Sequence, residues 1–300
     1  MNTNSNTSDR EFITSRLFAA TPAQVFQAFS EPERLARWWG PNGFRNTFNE
    51  FDFRAGGAWR FDMHGPDGKS YPNESVFDEV TPQRIVFRHV ETMHVFTMTM
   101  TIVPEGDGTR LTWCMAFATA EEADRVQAFV PRCNEENFDR LESELARLTA
   151  GERELVIMRI VDVPREKLYR CWTETELLKQ WFAPLPYKTP KAELDVRAGG
   201  ASVVTMRGPD GTDLPTAGVY LEVVPNERLV FTDAYTKAWQ LSDKPFMTVV
   251  LTFEDLGGKT RYTARVAHWT IGDRQMHEKM GFYPGWGQCT DQLVALAATL

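Results

Sequence analysis

Apolar and polar residues alternate with period two over Glu50–Arg54. Phe51 and Phe53 fall on one face and Glu50, Asp52 and Arg54 on the other, which predicts an antiparallel strand with one wet side. The pattern returns at Glu193–Arg197, where Leu194 and Val196 alternate with Glu193, Asp195 and Arg197. Phe96, Met98, Met100 and Ile102 share one strand face, and Leu111, Trp113, Met115 and Phe117 share another, with the turn sequence EGDG between them. Short strands are also predicted at EFITSRLF and ELVIMRIV. Elsewhere the period is helical. Val25, Phe26, Phe29 and Leu35 form one stripe behind Thr21-Pro22, and Leu168, Tyr169, Trp172 and Leu178 form another behind Val163-Pro164. Each stripe ends at proline, at Gly40-Pro41 and near Pro184. Phe138, Leu141, Leu145 and Leu148 keep helical spacing, as do Trp286, Cys289, Leu293, Leu296 and Leu300. These predict two long helices, interrupted upstream at Pro131 and over Gly281–Gly287.

The elements recur because the sequence does. FDFRAGG at Phe51–Gly57 returns as LDVRAGG at Leu194–Gly200, carrying Gly56 onto Gly199, a shift of 143. The turn GPDG at Gly65–Gly68 returns at Gly208–Gly211, and Trp38 maps onto Trp181, by the same shift. VTPQRIVF (Val80–Phe87) answers VVPNERLVF (Val223–Phe231) with one residue inserted. Each copy runs strand, helix, antiparallel strands, long C-terminal helix. The prediction is an α+β chain of two tandem domains, residues 10–148 and 153–300, joined through Thr149–Glu154. A chain of 300 residues accommodates two domains, each large enough to bury its own core.

Composition narrows the functional classes. The formal net charge of −8 disfavours sequence-independent nucleic-acid binding, which needs a basic surface. No apolar run approaches the roughly 20 residues of a membrane span. The N-terminus, MNTNSNTSDR, lacks the basic and apolar regions of a signal peptide and reads as a disordered lead-in, so a cytoplasmic location is expected. Cys114, Cys133, Cys171 and Cys289 show no C-x-x-C spacing and read as free thiols in a reducing compartment. His89 and His94 fall on opposite faces of an extended strand with no cysteine nearby, so neither a metal site nor a cofactor is expected. RAGG and GPDG lack the helix N-terminus and Lys-Ser/Thr of a phosphate loop and read as turns.

The phrases AATPAQVFQAFSEPERLARWWGPNGF, EFDFRAGGAWRFDMHGPDG, YPNESVFDEVTPQRIVF and HEKMGFYPGWGQCTDQLVAL carry a resemblance. The chain resembles the SRPBCC or START-like helix-grip superfamily. Within it, the chain is similar to the family of homologues of the activator of the heat-shock-protein-90 ATPase, across essentially all of both repeats. The resemblance implies a curved antiparallel sheet wrapped around the long C-terminal helix, with a cavity between them. Its members include lipid and hormone carriers and polyketide cyclases. It also implies that RWWGP at Arg37–Pro41 lies at the cavity mouth.

On this frame Trp59, Phe61, Met63, Met98, Met100, Trp113 and Met115 share the inner face of the first copy. Trp38 and Trp39, with Trp181 and Phe182 in the second copy, stand at the rims; Met206, Tyr262 and Trp286 complete the expected lining. Methionine and aromatic rings suit varied apolar guests. The alternative, that they only fill cores, stays open. Among polar residues, His89 shares the parity of Ile85 and Phe87, Asp233 takes its place in the second copy, and His268 follows Tyr262 and Val266. Asp233 and His268 together read as a base with its orienting carboxylate, or as satisfied structural groups. The copies differ at Trp59 against Ser202, Trp113 against Ala264 and Phe117 against His268, so the open cavity is expected in the second copy, with Gly281–Gly287 as its gate. The leading functional expectation is binding of a small apolar or amphipathic molecule. Its rivals are a cyclase- or hydrolase-type enzyme using acid–base chemistry in the cavity, and a chaperone-associated module.

Overall fold

The computed structural model describes residues 9–90 and 95–300, so His94 and most of the lead-in lie outside the described residues. The chain divides into two compact units, one ending at Thr149 and the next beginning at Ala150.

The first unit runs β1 (Glu11–Phe18), α1 (Pro22–Ser30), α2 (Pro32–Trp38), β2 (Arg45–Phe51), β3 (Ala58–His64), β4 (Ser70–Thr81), β5 (Arg84–His89), β6 (Phe96–Glu105), β7 (Gly108–Phe117), α3 (Ala120–Val126) and α4 (Val130–Leu148). Its seven strands form one antiparallel sheet in the order β1-β7-β6-β5-β4-β3-β2. The apolar face packs on α4 through Phe138, Leu141 and Leu145, all buried. Burying one such side chain is worth roughly 1.5–3 kcal/mol. Around α4 the polar contacts hold its partners in place. Arg16 of β1 reaches Glu135 at 2.6 Å and Asp139 at 2.7 Å, and the buried Glu144 accepts from Arg34 at 3.2 Å and Arg37 at 2.5 Å on α2.

Where the periodicity predicts one helix after β1, the structure has two. Thr21 caps α1 in a capping box with Gln24. At Glu31 the backbone is extended, φ −97° and ψ 113°, as expected before a proline, and α2 starts afresh at Pro32.

The second unit repeats the plan with β8 (Glu154–Val161), α5 (Arg165–Thr173), α6 (Thr175–Trp181), β9 (Lys188–Leu194), β10 (Ala201–Arg207), β11 (Asp213–Val224), β12 (Arg228–Thr232), β13 (Tyr235–Lys237), β14 (Gln240–Leu241), β15 (Met247–Asp255), β16 (Thr260–His268), α7 (Ile271–Lys279) and α8 (Phe282–Thr299). The sheet order β8-β16-β15-β12-β11-β10-β9 matches the first, and β13–β14 is an added hairpin. The interruption foreseen over Gly281–Gly287 shrinks to one residue. Met280 and Gly281, the latter at φ +96°, separate α7 from α8, while Gly285 and Gly287 lie inside an unbroken helix. No helix among the described residues is long and apolar enough to cross a membrane.

A candidate ligand cavity in the first domain

The two tryptophans at the end of α2 separate by role. The indole of Trp38 is buried and its Nε1–H donates to the Ala28 carbonyl at 3.0 Å. Trp39 is only half-buried and packs on Trp59 at 5.0 Å and Trp113 at 5.3 Å between ring centroids. The chain then reverses at Gly40, whose φ of +97° suits glycine. Helix α4 fastens this segment. Asn137 Oδ1 accepts from the Gly40 N–H at 2.6 Å, and Arg140 donates to the carbonyls of Arg37, Trp39, Gly40, Pro41 and Phe44. In the second domain Gln292 takes the place of Arg140, donating to the carbonyls of Trp181 at 2.8 Å and Ala183 at 2.9 Å.

Between this segment, the sheet and α4 lies a cavity of about 720 Å³, within the range of small-molecule sites. Its floor includes one transverse row of the sheet. Paired across adjacent strands stand Trp59 and Ser75, Ser75 and His89, His89 and Phe96, then Phe96 and Phe117. All five line the cavity. Ser75 Oγ lies 3.2 Å from His89 Nδ1, both residues are buried, and the imidazole stacks on Phe96 with centroids 4.9 Å apart. Cys133 also borders the space; burial raises its thiol pKa, the wrong direction for a thiolate nucleophile.

The sequence-based residues of the first domain are thus brought together in large part. Trp39, Trp59, Phe61, Met63, His89, Met98, Trp113 and Met115 all line the cavity. Trp38 and Met100 belong to the core instead. Ser75 escaped the sequence reading although it shares the parity of Phe77. Asn134 of α4 escaped it too, as a buried polar residue whose Nδ2 donates to Thr14 Oγ1 at 3.1 Å.

This cavity lies in the first domain, whereas the comparison of strand positions pointed to the second. Ser202 and Ala264 do replace Trp59 and Trp113, but the volume returns elsewhere. Tyr262 stands where the first domain has Leu111, Trp172 where it has Phe29, and Trp286 where it has Asn134. Trp181 and Tyr262 are buried in the second core, with Phe182 and Trp286 packed against it and Met206 half-buried on β10. Trp181 donates to the Cys171 carbonyl at 3.0 Å, repeating the bond of Trp38. Burial pushes the Tyr262 hydroxyl pKa far up, as for a core tyrosine.

Asp233 and His268 are not brought together. Asp233 lies one residue beyond β12, and its Oδ1 accepts from the backbone N–H groups of Phe246 at 2.8 Å and Met247 at 3.0 Å. His268 Nδ1 lies 3.0 Å from the Arg153 carbonyl and its Nε2 lies 2.9 Å from His277 Nδ1. A carbonyl only accepts, so neutral His268 carries its proton on Nδ1 and His277 donates to Nε2. Burial, then the neighbouring His268, depresses the His277 pKa from 6.5 to about 4. The unfolded chain therefore binds the extra proton between these values. The His277 contribution to stability is level above about pH 6.5 and falls as the pH drops towards 4. With partial solvent screening, the expected loss is about 1–2 kcal/mol. Urea unfolding of wild type and His277→Asn across that window checks this. The variant keeps a donor to His268 and should show a shallower pH slope; equal slopes would refute the assignment.

Two domains, each a curved sheet gripping a long helix and one holding a cavity between them, define a tandem START-like protein. The chain belongs to the family described as activator of Hsp90 ATPase homolog 1-like protein, whose model matches residues 19–146 and again 162–298. Among solved structures, a protein from Nitrosomonas europaea is 38% identical, covering 50% of this chain and 96% of its own, with a TM-score of 0.48. One from Rhodobacter sphaeroides is 27% identical, covering 49% and 99%, with a TM-score of 0.46. The di-domain ARO/CYC BexL from the BE-7585A biosynthetic pathway is 17% identical but spans 96% of this chain and 97% of its own, with a TM-score of 0.42. No curated protein matches the chain.

Proposed function

We propose that the first domain binds a small apolar or amphipathic molecule in its sheet–helix cavity and that the second domain serves chiefly as scaffold. The observation that carries this is the cavity of about 720 Å³, walled by Trp, Phe and Met side chains around the buried Ser75–His89 pair. Apolar walls with a few converging polar groups are the usual make-up of a ligand pocket. The polar residues on the matching row of the second domain support the scaffold role. Asp233 is committed to backbone N–H groups, and His268 to Arg153 and His277.

Native mass spectrometry of gently purified protein, and of protein incubated with apolar aromatic probes, tests the reading. The expected result is one adduct per chain, lost on denaturation and absent from Met115→Trp, which fills the cavity from β7. A clean apo mass under both conditions would overturn the proposal.

A further inference from the structure

Helix α7 carries its apolar residues on the side away from its own domain. Its counterpart in the first domain, α3, buries Ala123 and Val126 in a cluster with Phe12 and Phe117. No residue of α7 is buried. The contacts made by its inner side are polar. His277 Nδ1 lies 2.9 Å from His268 Nε2, and Arg274 Nη1 donates to Glu278 at 2.6 Å. Asp273, Arg274, His277 and Glu278 are half-buried, whereas Met276 is 48% exposed and Met280 73% exposed. Trp269 and Ile271, at the entrance to the helix, are 54% and 45% exposed. A helix that packs only on its own core shows the opposite arrangement. Clustered exposed apolar side chains mark a contact surface, and methionine suits one.

The face also supplies its own complement. At 3.6 residues per turn, Gly272, Asp273, Lys279 and Met280 lie within about 60° of Met276, with Asp273 a turn before it and Lys279 a turn after. Asp273 accepts from the Thr270 hydroxyl at 2.7 Å, and neither it nor Lys279 makes an ion pair among the described residues. A Cβ on Gly272 would meet only the Thr270 hydroxyl, at 3.6 Å, so the helix surface there is open. Laid antiparallel on a second α7 about a two-fold axis at Met276, the two ends of the face meet. Lys279 then crosses the partner's Gly272 to reach the partner's Asp273, and the helix dipoles run in opposite senses. A bilayer offers no such counterpart to Asp273, and the net charge of −8 disfavours an anionic surface.

We propose that α7 is a self-association surface on which two copies of this chain pair through their second domains, antiparallel and centred on Met276. One helix with Trp269 beside it covers less than the roughly 1,600 Å² of a standard interface, so the dimer belongs to the weak, exchanging class.

Sedimentation velocity of the full chain from about 1 to 500 μM tests this. The expected result is a monomer–dimer equilibrium within that range. Met276→Glu, which sets two carboxylates at the axis, should weaken it at least tenfold. Asp273→Lys and Lys279→Glu should each weaken it by about fivefold. Their equimolar mixture should regain the wild-type affinity, because both cross-pairs are restored between unlike copies. Met276 is exposed, so Met276→Glu carries the test even where Asp273→Lys loosens the helix cap. A chain that stays monomeric throughout, a dimer untouched by Met276→Glu, or a mixture of folded variants no better than its components would overturn the inference. Binding to phosphatidylcholine vesicles by a chain that stays monomeric would overturn it too, and would give the face to lipid instead.

Discussion

Arg140→Ala should destabilise the first domain by about 3 kcal/mol, because charged hydrogen bonds are worth roughly 1.5–3 kcal/mol each and those made by one side chain do not add. One guanidinium gathers five carbonyls, with Nη1 at 2.6 Å from Gly40 and 2.7 Å from Pro41, and Nη2 at 2.9 Å from Arg37 and 3.0 Å from Phe44. The fifth, of Trp39, lies at 3.4 Å. Those carbonyls belong to the segment that lines the cavity, so their release loosens Trp39 as well as the fold. For a domain of this size the unfolding midpoint should drop by about 10 °C. Ligand affinity should fall with it, since Trp39, Gly40 and Phe44 border the cavity. Arg140→Gln should recover part of the loss, as Gln292 holds the matching segment of the second domain with two bonds. Thermal unfolding followed by tryptophan fluorescence reads both variants. An unchanged first-domain midpoint in Arg140→Ala would show that the carbonyls are satisfied equally well by water.

The second large effect is expected from Trp113→Ala, at about 3–5 kcal/mol. The indole is buried, and its centroid lies 4.8 Å from that of Phe138, 5.3 Å from Trp39 and 6.2 Å from Trp38. The second domain carries Ala264 at this place, in a core that also holds Trp172 and Tyr262 with Trp286 packed against it. Copying only the alanine into the first domain removes the indole and brings none of those replacements. Urea denaturation measures the loss. A change below about 1 kcal/mol would mean that neighbouring side chains collapse into the space.

Much of the architecture is legible in the residues. Period-two alternation marks the strands, and the constant shift from Trp38 to Trp181 and from Gly56 to Gly199 establishes the duplication. What escaped has physical causes. The break at Glu174 has no proline after it, yet its backbone takes the same extended form as Glu31, with φ −94° and ψ 118°; the packing of the two short helices imposes what sequence periodicity does not announce. The first-domain cavity is not legible on the strands alone, because α4 supplies part of its lining. Asn134 and Trp286 are 152 apart rather than 143, the difference accumulating in insertions that include the β13–β14 hairpin. The inward parity of His89 and His268 was correct, and both are buried. For Asp233 parity lost its meaning, since β12 stops at Thr232 and the chain departs into the inserted hairpin. The Ser75–His89 pairing depends on register past a bulge between Phe77 and Glu79, which alternation alone does not specify.

The matching row of the second domain has an evolutionary corollary. To acquire the Ser–His pair, that domain would need serine at Gly218 and histidine at Asp233. A Cβ at Gly218 would stand 2.5 Å from the Thr232 carbonyl oxygen, so the first change forces backbone to move. The second strips the N–H groups of Phe246 and Met247 of their carboxylate. Each step is penalised before the pair exists to be selected. The divergence of the two copies therefore works as a ratchet: drift can elaborate the first domain's pocket, while a twin of it in the second lies behind a fitness valley.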